Sequence, residues 1–284
     1  MKSSFVVAFT LLVATFAAQC EGLGPRAVKD RVESSMLVTG TIQVDPQGRV
    51  DQFAIDRREA VPEGVSQLLD RAVPGWTFEP WMREGRAVAV ETSMRVRITA
   101  NRGTGDGIVV RIAGASFGGW SKVDHLPHEA NEPPVFPRGA ARAGVTGTVY
   151  LLGRVGLDGT MQEVIAEQVD LRAVGSSRQM ERLREQFERA SIRAAMKWTY
   201  DVPGEVLASG EPYWSVRIPV DFETRDRHRP GYGEWDTYIP GPRQVARWME
   251  DAKDGSPDVA SLPAGRLYRV GDGLRLLTQL EGNG

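Results

Sequence analysis

The sequence is almost without cysteine: Cys20 is the single thiol in 284 residues. One cysteine excludes an intramolecular disulfide framework of the kind that holds small secreted domains together. Cys20 lies at the end of an apolar N-terminal run, so removal of that run through Cys20 leaves no cysteine nucleophile. The fold therefore has to be stabilised by side-chain packing.

An excess of either charge is also missing. The chain has 35 Lys and Arg side chains against 37 Asp and Glu, a formal net charge of -2. Such a balance gives no long-range attraction toward nucleic acid or acidic lipid. Apolar residues at 41% and charged residues at 25% are close to globular averages. The composition predicts a folded protein that does not bind nucleic acid.

The N-terminal apolar run is too short for an ordinary transmembrane helix. It covers residues 5–18, about 14 residues, whereas a spanning helix needs roughly 20. Lys2 precedes the run, and Ala18 and Cys20 supply small residues at its C-terminal end. This pattern predicts a signal peptide over residues 1–20 and export to the periplasm. Lipidation at Cys20 and an uncleaved inner-membrane anchor are the alternatives.

One sequence pattern occurs twice. The stretch VTGTVYLLGRVGLDG, which begins at Val145, echoes VTGTIQVDPQG, which begins at Val38. Further landmarks recur in the same order, with offsets that grow from 107 to 125 residues. Ordered recurrence at this spacing indicates tandem structural units. The landmark pairs are Gly40 and Gly147, Gly48 and Gly159, Trp76 and Trp198, and Gly85 and Gly210.

Each copy has the pattern of strand, strand, helix and strand. Turn sequences ending at Gly48 and Gly159 join the first two strands. A capping box of Ser176 and Gln179 begins the second helix. We predict an α+β fold of two ββαβ units, each a small antiparallel sheet packed on one helix, with Trp76 and Trp198 in the cores.

The predicted organisation has five parts. They are a signal peptide at 1–20, a first unit at 34–100, a connector at 101–132, a second unit at 133–223 and an extension at 224–284. The connector contains GIVVRIA, which predicts an extra strand that extends one of the two sheets.

The second unit carries an ordered set of motifs. They are PPVFP from Pro133, GTV from Gly147, DG at Asp158, KW at Lys197 and VRIPVDF from Val216. In this order they resemble the C-terminal domain of TonB proteins, across the whole second unit. The first unit is similar to a degenerate copy that lacks the proline entry and the closing motif.

The resemblance implies a non-enzymatic, cofactor-free protein-binding module in the periplasm. Such a module adds the N-terminal segment of an outer-membrane transporter, or of another envelope protein, as a strand beside its own last strand. The apolar N-terminal segment here contains neither histidine nor acid and lies within about 15 residues of the first unit. These features favour a soluble adaptor. A membrane-anchored energy transducer for TonB-dependent transport and a homodimer with paired edge strands are the alternatives.

The predicted partner-binding residues lie in the last strand of each unit, where we expect a free sheet edge. Pro219 lacks an amide donor, which favours the first unit as the docking site. Arg95, Arg97 and Arg217 are expected on solvated faces, with recognition of an acidic partner as the alternative. The residues are Val88, Val90, Thr92, Met94, Arg95, Val96, Arg97 and Ile98 in the first unit, and Val216, Arg217, Ile218 and Val220 in the second.

Two motifs suggest catalytic or metal chemistry. GASFG places Ser116 in the G-x-S-x-G pattern of a nucleophile elbow, but the residues after it are a poor helix start. His125 and His128 lie among acids, but their spacing matches no recognised zinc motif and Pro127 prevents a regular helix. We therefore predict no enzymatic activity, no bound metal and no cofactor.

Overall fold

The computed structural model describes residues 31–102, 107–118, 131–224, 230–249, 258–271 and 273–280. Within these ranges the chain forms a five-stranded sheet, a four-stranded sheet and a two-stranded ribbon. All the strand pairs are antiparallel, and helices pack on the two larger sheets. The predicted α+β fold is confirmed.

The first sheet is formed mainly by the first part of the chain. That part of the chain contains β1 (Glu33–Val44), β2 (Val50–Ile55), α1 (Glu63–Ala72), β3 (Met82–Arg83), β4 (Arg86–Ala87), β5 (Val90–Arg102) and β6 (Ile108–Phe117). β1 pairs with β5 along nearly its whole length and with β2 over its last residues. β6 adds to the other side of β5, whereas β3 and β4 pair with each other.

The second sheet repeats this plan. The second part of the chain contains α2 (Arg138–Arg142), β7 (Gly147–Gly156), β8 (Met161–Leu171), α3 (Ser177–Ala195), α4 (Gly204–Ala208) and β9 (Tyr213–Phe222). β7 lies between β8 and β9, as β1 lies between β2 and β5. The same strand, strand, helix, strand order therefore builds both sheets.

The C-terminal extension joins both sheets. It contributes β10 (Asp236–Tyr238) beside the start of β1 and β11 (Tyr268–Arg269) beside β9. Between these strands, Ile239 exchanges backbone hydrogen bonds of 2.8 and 3.1 Å with Leu171. Farther along, the Gln244 N–H donates to the Glu167 carbonyl at 2.8 Å. The extension therefore lies along the outer edge of β8 as well.

The first hairpin of each unit is fixed by the same contact. Gly48 and Gly159 have positive φ values of 81° and 78°, which glycine adopts without a steric penalty. The Phe78 N–H donates to the Gly48 carbonyl at 2.7 Å, and the Tyr200 N–H donates to the Gly159 carbonyl at 2.8 Å. Each turn is thereby tied to the segment that follows the tryptophan. This shared contact supports the interpretation of the sequence as tandem units.

Two hydrophobic cores lie between the sheets and their helices. Trp76 belongs to the first core and is 3% exposed, and Trp198 belongs to the second and is 5% exposed. The prediction that both tryptophans are core residues is confirmed. Phe117 of β6 packs edge-on against Trp76 and Phe78, with ring centroids 5.6 and 4.8 Å apart. The connector strand is thus part of the first core.

Helix α3 begins and packs as its sequence predicts. The Ser176 N–H donates to Gln179 Oε1 at 2.9 Å, which completes the expected capping box. Met180 and Phe187 are fully buried on the inner face of the helix. The opposite face carries the charged residues.

Candidate functional site

The last strand of the first unit is not an edge strand. β5 pairs with β1 through Val90–Ala100 and with β6 through Met94–Arg102. The expectation of a free edge here is wrong, because the connector strand fills the position at which a partner strand would add. Val88 precedes β5, and its N–H donates to the Trp81 carbonyl at 2.9 Å. The other first-unit residues of the prediction, all within β5, are Val90, Thr92, Met94, Arg95, Val96, Arg97 and Ile98.

The last strand of the second unit is covered in its middle. β11 pairs with Val216 and Arg217 of β9 on the side away from β7. The covering continues on both sides, since the Val270 N–H donates to the Ser215 carbonyl at 2.9 Å and the Gly265 N–H donates to the Pro219 carbonyl at 3.3 Å. The free edge expected over Val216, Arg217, Ile218 and Val220 is therefore occupied by the same chain over most of its length.

The arginines of these strands do not lie on solvated faces. Arg95 is 2% exposed and Arg217 is 3% exposed. The Arg97 side chain is 13% exposed and contacts Asp258, Glu33 and the Tyr238 hydroxyl. The expectation failed because acids and aromatic rings distant in the sequence cover both sheet faces. Those acids take the role that the alternative interpretation gave to an acidic partner.

Arg217 is neutralised within the second sheet. Its Nε donates to Glu167 Oε2 at 2.7 Å, and both side chains are 4% exposed. Arg243 of the extension also donates to Glu167, from Nη2 to Oε1 at 2.6 Å. One buried carboxylate therefore holds two guanidinium groups, a geometry in which loss of the acid is far more costly than loss of a surface ion pair.

Ser116 does not occupy a nucleophile elbow. It lies inside β6, is paired in register with Arg95, and is 6% exposed. Its Oγ accepts a hydrogen bond from Arg95 Nε at 3.0 Å and lies 3.4 Å from Ser261 Oγ. An elbow requires the serine at a sharp turn between a strand and a helix. Ser116 instead connects Arg95 of β5 to Ser261 of the C-terminal extension.

The candidate histidines, His125 and His128, lie outside the described residues. Among the residues that the structure describes, no group of three or more His, Cys, Asp or Glu side chains is placed to hold a metal ion. In the same ranges, no helix is both long and apolar enough to span a membrane. The predicted signal peptide at 1–20 also lies outside the described ranges.

Among the residues that the structure describes, the outer edge of β6 is open. β6 ends the first sheet, and no described strand pairs with its side away from β5. Its first residues are unusually apolar for an exposed edge: Ile108, Val109 and Val110 are 73%, 52% and 40% exposed. Natural sheets usually cover or charge such an edge because its unpaired backbone groups accept another strand. This edge is the principal candidate site.

A polar cleft of about 540 Å³ lies between the two sheets. Arg95 and Thr39 line it from the first sheet, Tyr150 and Asp170 from the second, and Tyr238 from the extension. The faces that the sequence predicts to be solvated are thus turned toward each other. The ion pair of Arg172 with Asp236, at 2.6 Å, connects the two sheets directly.

Asp170 is a buried carboxyl that lines this cleft and is 3% exposed. Its Oδ1 accepts from Gln168 Nε2 at 2.8 Å and from the Gly241 N–H at 3.0 Å, whereas Oδ2 has no partner among the described residues. Burial raises the pKa of Asp170 to about 6, although both hydrogen bonds and Arg97 act in the opposite direction. The carboxyl therefore titrates near neutral pH.

Sequence reasoning did not identify β6 as the open edge. The signal was present in GIVVRIA, a run of β-branched residues in the connector. Such a run predicts a strand, but it does not say which sheet the strand joins or whether it ends that sheet. The strand that covers β9 was harder still to predict, because β11 contains only two residues and so has no recognisable alternation.

Comparison with known proteins found no match among family models, curated proteins or solved structures.

Proposed function

We propose that this protein is a non-enzymatic binding module of the cell envelope that takes up an extended segment of another protein as a strand beside β6. The observation that supports this proposal is the open, apolar edge at Ile108–Val110. In the described ranges β2 also lacks a partner on its outer side, but its exposed residues are Asp51, Gln52 and Ala54. The β6 edge stands out because its exposed residues are large and apolar.

The physical basis is strand addition. An edge strand presents backbone donors and acceptors that an extended peptide satisfies, and pockets for alternate side chains provide specificity. Residue alternation puts Ile108 and Val110 on the same face as the buried Ile112. A partner strand would therefore extend both the hydrogen-bonded ladder and the apolar face of the first sheet.

The resemblance to the TonB C-terminal domain supports the same mode of binding at a different strand. That family takes up its partner beside the last strand of the domain. In this chain β6 fills the corresponding position beside β5, and β11 fills it beside β9. We infer that the docking edge has moved one strand outward in the first unit. Periplasmic location remains part of this proposal.

The proposal is tested by adding peptides from the N-terminal segments of outer-membrane transporters to the chain lacking residues 1–20. Backbone amide signals of Ile108–Phe117 are expected to shift, with smaller changes in β9. The double variant Ile108→Lys/Val110→Lys is expected to weaken binding about tenfold or more, because two apolar contacts are lost. Val174→Lys/Leu207→Lys is the matched control, since these residues are 48% and 55% exposed elsewhere.

Three outcomes contradict the proposal. The first is that the β6 signals stay unchanged at high peptide concentration, and the second is that both double variants bind equally well. In the third, the chain does not bind peptide but doubles its mass with concentration, and Ile108→Lys/Val110→Lys prevents the doubling. The open edge would then pair with a second copy.

A further inference from the structure

A second surface, in the other unit, has the chemistry of a binding groove. It lies between the proline-rich entry segment, residues 132–138, and the exposed face of α3, and has a volume of about 460 Å³. Its base consists of Phe136, Ala190, Ala194 and the edge of Trp198. Because β6 belongs to the first sheet, binding in this groove is independent of the proposed strand addition.

The walls of this groove are held in place without a ligand. Trp198 Nε1 donates to the Glu132 carbonyl at 2.8 Å, which fixes the start of the entry segment to the end of α3. Asn131 makes two hydrogen bonds with the Thr199 backbone, at 2.9 and 3.0 Å. Phe136 packs edge-on against Phe187 of the core, with centroids 5.7 Å apart. A groove fixed in this way costs little further ordering when it binds.

The rim of the groove is strongly basic. Arg138, Arg189, Arg193 and Lys197 line it, and Glu132 is the one acid among its described lining residues. Arg189 contacts Glu185 at 3.4 Å, but both side chains are more than half exposed, and such a pair contributes little. Since the whole chain has a formal charge of -2, this patch is a local concentration of positive charge. A basic cleft attracts an anionic partner and increases its association rate.

The groove also has an apolar contact surface. Val135 is 83% exposed on one wall, and Phe136, Ala190 and Ala194 are partly buried at the base. A recess between two fixed walls accommodates a side chain, whereas a flat bilayer would contact the rim and leave this base uncovered. Charge and shape together favour a polypeptide over a membrane surface.

We propose that the groove binds an acidic segment of a partner protein, with an apolar side chain on Phe136 and Ala194 and with carboxylates on the arginines and lysine of the rim. The ligand class is a peptide in which acids flank one aliphatic residue. Its affinity depends on ionic strength because the rim charges are exposed to solvent.

The test uses the full chain and the unlabelled peptide acetyl-Glu-Asp-Leu-Asp-Glu-amide, followed through backbone amide signals. Signals of Val135, Arg193 and Lys197 are expected to shift, and Arg193→Glu/Lys197→Glu is expected to weaken binding about tenfold or more. Arg83→Glu/Arg86→Glu is the matched control, because it makes the same change of charge at exposed residues of the β3–β4 ribbon. That control is expected to change the affinity less than twofold.

Three results overturn the proposal. The first is an absence of shifts at these residues, or shifts that map elsewhere. The second is an equal loss of peptide affinity in both double variants, because the affinity would then depend on the net charge of the protein and not on the groove. The third is binding to phosphatidylglycerol vesicles that Arg193→Glu/Lys197→Glu removes while the peptide produces no shifts, since the groove would then recognise lipid.

Discussion

Arg97 donates from Nε to Asp258 Oδ2 at 2.6 Å, although the two residues lie 161 positions apart in the chain. Their side chains are 13% and 12% exposed. Burial disfavours the charged guanidinium, but Asp258, Tyr238 and Glu33 outweigh burial and raise the pKa of Arg97. The charged face of the first sheet is therefore satisfied by the C-terminal extension, which makes the extension an integral part of the fold.

Removal of this counter-ion is expected to destabilise the protein. Asp258→Asn keeps the shape of the side chain but leaves Arg97 with Glu33 as its acidic partner. We expect the free energy of unfolding to fall by about 1–3 kcal/mol, because a largely buried charge loses part of its compensation. Denaturant titration measures this change. Glu79→Gln is the control, since Glu79 pairs with Arg275 where both are about half exposed, and we expect a loss below about 0.5 kcal/mol.

Gly159 is expected to tolerate no side chain. An alanine Cβ there would overlap the Tyr200 carbonyl oxygen, at a φ of +78°. Gly159→Ala should cost about 2–4 kcal/mol, since it adds backbone strain and disrupts the hydrogen bond from Tyr200. Gly144→Ala separates these effects, because φ is +62° there and no described atom lies within 4 Å of the added Cβ. Thermal unfolding of both variants should show a clearly smaller loss for Gly144→Ala.

Asp170 makes the stability of the protein depend on pH. Its folded-state pKa of about 6 lies above the roughly 3.9 of an unfolded aspartate. A raised pKa means that the folded state binds more protons between these values, so this group's contribution is fully present below about pH 4 and is lost as the pH rises through about 6. Asp170→Asn removes the effect.

The expected result is a difference that grows with pH. Near pH 4 the Asn variant and the native chain should be similarly stable, and above pH 7 the variant should be more stable, by about 3 kcal/mol. Asp158→Asn should act in the opposite direction, because hydrogen bonds from Thr160 lower the pKa of Asp158. A constant difference across this range for Asp170→Asn would contradict the burial of an unpaired carboxylate. The charged and titratable groups around Asp170 are Arg97, Glu33, Arg184, Tyr150 and Tyr238.

Local features of the fold were predictable from the sequence. The turn glycines Gly48 and Gly159, the capping box at Ser176 and the buried tryptophans depend on residues close together in the chain. Such signals are strong because backbone angle, capping and helical period are properties of short segments. They were sufficient to predict two similar units.

The candidate site was not predictable in the same way. Whether β5 is an edge depends on where the connector strand pairs, and the sequence did not specify that pairing. The alternation within β5 predicts that Arg97 faces solvent. Its ion-pair partner, Asp258, lies 161 positions away in the sequence, so the local pattern does not reveal the contact. Alternation separates the two faces of a strand, but it does not show what covers each face.

Amide hydrogen exchange of the protein alone tests the central claim most directly, since it measures which sheet edges are open. We expect slow exchange for the amides of Arg95 in β5 and Arg217 in β9, which face β6 and β11. Alternate amides between Ile108 and Val110 should exchange at nearly the rate of an unfolded chain, because no described strand pairs with their side of β6. Slow exchange throughout Ile108–Val110 in dilute protein, or rapid exchange at Arg95 and Arg217, would contradict the account.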